Sequence, residues 1–160
     1  IKAARGDYLL IQDAELEYNP SDIKFLLEPV TDGKAKFVYG TRLRRMPNFS
    51  RDERPPTCLL HSMGHRVLSL VTSLLYGQWV TDMETGYKLL PRDFMSKLQL
   101  HARSFDFEPE ITAKILKNGH KIVEIPITTN PRDHEEGKKL VALKDGPVAL
   151  WTLLKYRIVD

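Results

Sequence analysis

Apolar positions along the chain fall into two patterns, short continuous runs and longer stretches with helical spacing. The continuous or β-branched runs predict three strands, at residues 7–12, 35–39 and 121–127. The helical spacing predicts four longer helices, at residues 20–28, 59–76, 107–117 and 147–158. Strands and helices that alternate in this way are typical of α/β proteins, so the sequence predicts an α/β domain.

Four finer features follow from the same pattern. The first run, around Tyr8–Ile11, is uninterrupted, which favours a strand buried on both faces of a parallel sheet. Residues 46–57 are rich in proline and charge without periodicity, which predicts a flexible loop. The helix at 147–158 is apolar almost all round and carries Trp151, which favours buried packing, with an interfacial helix on a membrane as the alternative. Residues 81–90 are predicted to be extended, and Pro91 to begin a short helix.

Composition excludes several classes of protein. The chain has 160 residues, 42% hydrophobic and 28% charged, which suits one soluble globular domain. A net charge of +3 without a basic, aromatic stripe argues against nucleic acid as a partner. Cys58 is the only cysteine, so a disulfide within the chain and a cysteine metal cluster are excluded. No apolar run reaches the ~18 residues of a transmembrane helix.

The first six residues of the chain resemble the end of a helix rather than the beginning of a protein. The chain opens with Ile1 instead of methionine, and Gly6 has the position of a helix stop. We therefore expect a segment upstream of Ile1.

Acidic residues directly follow the first predicted strand. Asp13, Glu15 and Glu17 are spaced two apart, so in an extended chain their carboxylates face the same side. Open α/β sheets bind ligands beyond the carboxyl ends of their strands. Hard oxygen ligands suit Mg²⁺ or Mn²⁺ held together with phosphates. A solvated acidic turn before the next helix is the alternative interpretation.

Six segments in order along the chain resemble polyprenyl-phosphate (dolichyl-type) mannose and glucose synthases, members of glycosyltransferase family 2. They occupy residues 6–20, 39–42, 81–88, 107–111, 123–127 and 132–140. The first contains the strand and acidic motif, Asp-Ala-Glu where the family has Asp-Ala-Asp. The second is Tyr-Gly-Thr-Arg, and the third is Thr-Asp-Met-Glu-Thr-Gly-Tyr-Lys. The combination is more specific than any single motif.

The resemblance implies a GT-A-like fold, an α/β domain whose mixed, mostly parallel sheet is flanked by helices. It covers the later part of a catalytic domain, so residues 1–160 are expected to form one domain that lacks its N-terminal strands. The implied reaction is metal-dependent, inverting transfer of a sugar from a nucleotide-diphosphate sugar to a polyprenyl phosphate. GDP-mannose is the first choice of donor, with UDP-glucose or a similar sugar nucleotide as the alternative.

The resemblance also implies roles for individual residues. The metal ion, Mg²⁺ or Mn²⁺, would be held by Asp13, Glu15 and Glu17, and the acceptor or donor phosphates by Arg42, Arg132 and Lys139. Asp82 matches an acid near the acceptor and would orient the acceptor or serve as a base; an ordinary aspartate at a strand entrance is the alternative. Glu84 and Glu110 are weaker candidates. His61 and His65 have a metal-like spacing but are interpreted as ordinary helix residues.

The implied partners are the sugar nucleotide and the lipid phosphate, with peripheral contact at the cytoplasmic face of a membrane and self-association as further expectations. A degenerate or truncated transferase, acting as a binding module without turnover, is the alternative outside enzymes. A second enzymatic alternative is a metal-dependent nucleotidyltransferase or nuclease, which would need carboxylates for a second metal ion.

Overall fold

A computed structural model describes residues 1, 3–13, 17–42, 56–129 and 142–159, without the side chains of 56–63 and 142–145. The strands are β1 (Tyr8–Ile11), β2 (Phe37–Thr41), β3 (Lys88–Pro91) and β4 (Ile122–Pro126). The helices are α1 (Ile23–Thr31), preceded by a 3-10 turn (Pro20–Asp22), then α2 (Pro56–Tyr76), α3 (Arg92–Lys97), α4 (Phe107–Lys117) and α5 (Ala142–Ile158). None of the described helices is long and apolar enough to cross a bilayer.

The four strands form one mixed sheet in the order β1-β3-β2-β4. Strand β3 runs antiparallel to both of its neighbours, whereas β2 and β4 are parallel. It follows that β1, β2 and β4 all run in the same direction and β3 alone is reversed. The expected mixed α/β sheet is therefore confirmed, with three of its four strands parallel in direction although β3 separates two of them.

Helices cover both faces of the sheet, because side chains of neighbouring strand residues point to opposite faces. Phe37, Tyr39 and Leu90 face a large cluster built with α2, α4 and α5. Val38 and Leu89 face a smaller cluster that includes Leu26 of α1. The result is three layers, with α1 on one side and the other long helices opposite.

Most predicted elements are confirmed within a few residues, and the deviations have physical causes. β1 is only half-buried, because it lies at an edge of the described sheet; the fully buried strand is β2, which lies between two others. Residues 81–87 form turns and bends, so the extended stretch predicted there is confined to β3. The predicted glycine turns are confirmed at Gly33, Gly77 and Gly119, whose φ angles are 69°, 72° and 74°.

Two predicted boundaries differ from the structure. Helix α2 begins at Pro56 and so includes the last two residues of the loop predicted at 46–57, while residues 46–55 of that loop lie outside the described part. Helix α5 begins at Ala142 and contains Pro147, which was predicted to open it. Proline in the first turns of a helix leaves few hydrogen bonds unmade, so the pattern alone does not distinguish the two positions.

Candidate functional site

The carboxyl ends of β1, β2 and β4 lie at the same edge of the sheet, as the amino end of β3 does. Strand register aligns Ile11, Lys88, Tyr39 and Glu124 in one row across all four strands. The residues that follow this row in β1, β2 and β4 must emerge at one edge of the sheet. The segment 81–87, which precedes the row in β3, emerges at the same edge. The topology therefore brings Asp13, predicted from the acidic motif, close to the segment that carries Asp82.

Asp13 lies against the main chain of Gly86. A Cβ atom at position 86 would lie 2.3 Å from Asp13 Oδ2 and 2.9 Å from Tyr18 Cζ, distances that a real side chain cannot adopt. The Gly86 N–H donates to the Tyr18 hydroxyl over 2.8 Å. The glycine thus leaves room for the carboxylate and the phenol to close on the segment 81–87.

Arg42 and Asp82 form a buried, side-on ion pair at the end of β2. Arg42 Nε donates to Asp82 Oδ2 and Nη2 to Oδ1, each over 2.8 Å, and the Arg42 main-chain N–H donates to Oδ2 over 2.9 Å. The side chain of Asp82 is completely buried and that of Arg42 is 21% exposed. Both carboxylate oxygens are therefore occupied.

The ion pair also sets the charge state of both groups. Burial alone would raise the pKa of Asp82, but the Arg42 guanidinium outweighs it and holds that pKa below its usual value. Burial likewise disfavours the charged form of Arg42, yet the Asp82 carboxylate raises the pKa of the guanidinium overall. Asp82 is consequently ionised at neutral pH and poorly suited to accept a proton.

One nitrogen of Arg42 remains available at the edge of the sheet. The second Nη2 hydrogen bond goes to the Glu84 carbonyl oxygen over 3.2 Å. No described residue accepts a hydrogen bond from Nη1. Because guanidinium groups bind phosphate through paired N–H donors, the free Nη1 group can hold an anionic oxygen.

Glu124 on β4 holds the segment 81–87 in place through hydrogen bonds. Its carboxylate accepts hydrogen bonds from the main-chain N–H groups of Thr81 and Asp82, at 2.9 to 3.0 Å, and from the Thr81 hydroxyl at 3.0 Å. Burial raises the pKa of Glu124, and these hydrogen bonds oppose the rise. No individual role was predicted for this residue, although a lone glutamate in a β-branched strand was a signal that it faces polar partners.

A second group of charged side chains is buried close to this edge of the sheet. Lys88 is fully buried, its Nζ is 5.1 Å from the centre of the Tyr39 ring, and it donates to the Thr85 carbonyl. Burial lowers the pKa of Lys88, and burial raises the pKa of Glu108, which lies close enough to interact with Lys88 and Asp13. Charge of both signs thus extends from the edge into the core.

Of the weaker candidates, Glu110 has a structural role. It is completely buried, accepts from the N–H groups of His101 and Ala102 over 2.6 to 3.1 Å, and pairs with Lys114 at 2.8 Å. Glu84, by contrast, belongs to the edge: its side chain contacts His65 of α2 and its carbonyl contacts Arg42. The interpretation of His65 as an ordinary helix residue therefore misses a contact with the site.

Several candidate residues lie outside the described part of the chain. These are Glu15, Arg132 and Lys139, together with the side chain of His61. Glu17 is described and lies in the turn that follows the acidic motif. Among the described residues, no group of three His, Cys, Asp or Glu side chains is arranged to hold a metal ion. Asp13 is thus the member of the predicted metal set whose surroundings are defined in detail.

Comparison with known proteins identifies glycosyltransferases among the relatives of this chain. The family signature described as "Glycosyl transferase family 2" matches residues 1–98. A Haloferax volcanii protein named glycosyltransferase AglJ is 26% identical over 152 residues, 94% of this chain and 48% of the relative.

Two further relatives carry names that specify lipid phosphates. The Methanococcus voltae UDP-N-acetylglucosamine–dolichyl-phosphate N-acetylglucosaminyltransferase is 28% identical, over 78% of this chain and 48% of its own length. The Micrococcus luteus undecaprenyl-phosphate mannosyltransferase is 29% identical, over 82% of this chain and 53% of its own length. The chain spans about half the length of the curated relatives it matches.

Proposed function

Because this chain belongs to glycosyl transferase family 2, a family of glycosyltransferases, we propose that it provides the phosphate-binding edge of an enzyme that transfers a sugar to a polyprenyl phosphate. Relatives named for dolichyl and undecaprenyl phosphate support this acceptor. GDP-mannose is the donor proposed first, since two relatives are named for mannose. A UDP-sugar is the second choice, since one is named for UDP-N-acetylglucosamine.

The observation that carries the proposal is the side-on pair of Arg42 and Asp82 next to Asp13. Arg42 is held by Nε and Nη2, which leaves Nη1 for a phosphate oxygen. Arg42 donates to the Glu84 carbonyl and Asp13 lies against Gly86, so both contact the segment that carries Asp82. A cation and an acid at one edge suit a reaction in which two phosphate groups must approach each other.

In the proposed reaction, a non-bridging oxygen of the lipid phosphate attacks the anomeric carbon of the donor sugar. A carbon–oxygen bond forms there as the bond to the diphosphate oxygen breaks, so the configuration inverts and the nucleoside diphosphate leaves with the electron pair. A phosphate monoester has a second pKa near ~6 and is largely ionised at neutral pH. A strong base is therefore unnecessary, which agrees with an Asp82 whose oxygens both bind Arg42.

The acidic motif suits a divalent ion. The Asp13 carboxylate lies where a Cβ at Gly86 would intrude, so the chain keeps this space open for it. Asp13, Glu15 and Glu17 would hold Mg²⁺ or Mn²⁺, which prefer carboxylate oxygens. When bound, the ion would neutralise charge on the departing diphosphate. Arg132 and Lys139 are proposed as further phosphate ligands.

We further propose that the protein contacts the membrane peripherally, through helices α2 and α5. Their outer faces expose apolar side chains, among them Leu74 at 76%, Trp151 at 68% and Ile158 at 82%. The described side chains of residues 64–76 and 146–158 include no carboxylate but do include Arg66, Lys155 and Arg157. Apolar, aromatic and basic residues together favour the surface of an anionic bilayer over another protein.

The experiment that tests the function compares Asp13→Asn and Arg42→Lys in the protein that carries this chain. Isothermal titration with Mn²⁺ and GDP should show binding that Asp13→Asn abolishes, because the ion loses a charged ligand. Transfer of labelled mannose to polyprenyl phosphate should fall about 100-fold or more in both variants. Exposed Asp32→Asn is the matched control.

Two results would each contradict one part of the proposal. Ion-dependent GDP binding that persists in Asp13→Asn would remove the metal assignment. Ligand binding without any transfer, for GDP- and UDP-sugars alike, would favour the alternative of a binding module without turnover.

A further inference from the structure

A second pair of side chains joins helix α2 to the edge of the sheet. His65 Nδ1 contacts Glu84 Oε2. Their side chains are only 13% and 18% exposed. Exposed ion pairs contribute little to stability, but a mostly buried pair is less screened by solvent and holds its geometry better. The contact therefore restrains where residue 84 lies relative to α2.

The position of Glu84 in turn restrains Arg42. Its side chain binds α2, while its carbonyl oxygen accepts from Arg42 Nη2 at 3.2 Å. The other side-chain contacts of Arg42 in the described structure go to Asp82 alone. A guanidinium held on one side by a single carboxylate can tilt about that pair. The bond to the Glu84 carbonyl is a second point of attachment, and it determines where the free Nη1 group faces.

We propose that His65 is a positioning residue of the phosphate site: by donating from Nδ1 to Glu84, it holds the Glu84 carbonyl where it orients Arg42. The inference rests on the proposed function only in taking phosphate as the ligand of Arg42. Among the described residues, Asp82, Arg42 and Glu108 also lie close enough to interact with this pair. His65 itself contacts no substrate in this account.

Kinetics of the whole protein test the role of His65. His65→Leu removes the donor and should raise the KM for polyprenyl phosphate about tenfold, with the KM for the sugar nucleotide changed less than about twofold. His65→Asn places an amide donor near the position of Nδ1 and should restore the acceptor KM to within about threefold. Thr72→Val is the matched control, since Thr72 is a buried residue of α2 whose hydroxyl donates to the Leu68 carbonyl of the same helix.

A spectroscopic measurement separates this inference from the proposed function. The Arg42 Nε–H, which donates to Asp82, should give a slowly exchanging resonance in a proton–nitrogen spectrum. His65→Leu should shift it and speed its exchange, whereas Thr72→Val should leave it unchanged. A protein with no transfer activity would disprove the function, yet this resonance would still test the role of His65.

Two outcomes would overturn the proposal. One is an Arg42 resonance and an acceptor KM that are both unaffected in His65→Leu. If His65→Leu does not fold, His65→Asn and His65→Gln decide, because glutamine places its donor near the position of Nε2 instead. Equal acceptor KM values in these two variants would contradict a contact made through Nδ1.

Discussion

Charged side chains meet around the segment 82–86 at the edge of the sheet. Asp82 belongs to this segment and pairs with Arg42 over 2.8 Å, while Asp13 lies against Gly86. The main chain of the segment also supplies the Glu84 carbonyl as an acceptor for Arg42. Fixed charges of this kind stabilise ionic ligands well because they need little rearrangement when the ligand arrives. The position of each group therefore matters as much as its chemical type.

Gly86→Ala should damage the site through space alone. Its Cβ would lie 2.3 Å from Asp13 Oδ2, so the carboxylate must move. We expect a loss of about 1–3 kcal/mol in the free energy of unfolding, and weaker Mn²⁺ binding by calorimetry. Gly64→Ala in α2 is the control, because no described atom outside its chain neighbours and the surrounding helix backbone lies within 4 Å of the added Cβ. That variant should be stabilised by about 0.5–1 kcal/mol; intact Mn²⁺ binding in Gly86→Ala would contradict the geometry.

Asp82→Asn should reveal the buried ion pair through its pH dependence. Removing one charge of such a pair costs about 3–5 kcal/mol. The lowered pKa of Asp82 means that its contribution is present above the unfolded value of about 3.9 and is lost as the pH falls through the still lower folded value. In urea unfolding, the difference in the free energy of unfolding between wild type and Asp82→Asn should thus have its full value at pH 7. It should shrink below pH ~4.

Exposed Asp32→Asn provides the comparison for that experiment. Asp32 pairs with Lys34 at 2.7 Å, but their side chains are 52% and 74% exposed. Such an exposed pair contributes little to stability because solvent screens it. If Asp82→Asn lowers the free energy of unfolding as little as Asp32→Asn does, the pair of Arg42 and Asp82 does not stabilise the fold.

At the scale of elements, α5 depends on one face for its attachment. Leu153 is fully buried and its carbonyl accepts from the Tyr76 hydroxyl of α2 at 2.8 Å, while Arg157 Nε donates to the Leu75 carbonyl at 2.9 Å. Lys114 of α4 lies 4.6 Å from the centre of the Tyr156 ring. Helix α5 is therefore fixed to α2 and α4 along one side, and its opposite side remains exposed.

Two leucines of α5 test whether the helix is packed along one side only. Leu153→Ala should lower the free energy of unfolding by about 2–5 kcal/mol because it leaves a cavity. Leu150 is 38% exposed on the same helix. Leu150→Ala should therefore lower the free energy of unfolding by less than about 1 kcal/mol. Chemical denaturation of both variants gives the comparison. Similar losses for the two would mean that α5 is not packed through the face described.

At the scale of the whole molecule, apolar surface is concentrated on the layer opposite α1. The exposed residues include Val67, Leu70 and Leu74 on α2 and Val148, Trp151 and Ile158 on α5. An exposed apolar area of this kind is typical of a surface that binds a partner or a membrane. The proposed lipid acceptor gives a reason for the protein to meet a bilayer.

The protein should therefore sediment with phosphatidylglycerol vesicles and much less with phosphatidylcholine vesicles. Added salt should weaken the binding, because Arg66, Lys155 and Arg157 are screened. Trp151→Ala should reduce the partition coefficient about fivefold or more, whereas Phe105→Ala, 40% exposed in the α3–α4 connection, should not change it. Equal binding to both lipids, or self-association that persists without lipid and is lost in Trp151→Ala, would assign this surface to another copy instead.

Local pattern determined the parts of this protein that depend on neighbours in sequence. Helix α4 is predicted at its observed bounds, and the strands within a few residues, because periodicity and terminal glycines act locally. The acidic motif after β1 and the resemblance of six segments also identified the family, which is now established over residues 1–98. Asp13, Arg42 and Asp82 were all identified from these segments.

Only the tertiary structure decided how those residues are used. Residues 40 and more positions apart, such as Arg42 and Asp82, meet because β3 inserts between β1 and β2 in reverse direction, which no local pattern specifies. The same placement gives Glu124 and His65 their contacts with the segment 81–87 and pairs Asp82 with Arg42. Burial and partners depend on distant parts of the chain, so the charge state of a side chain follows from the fold and not from its motif.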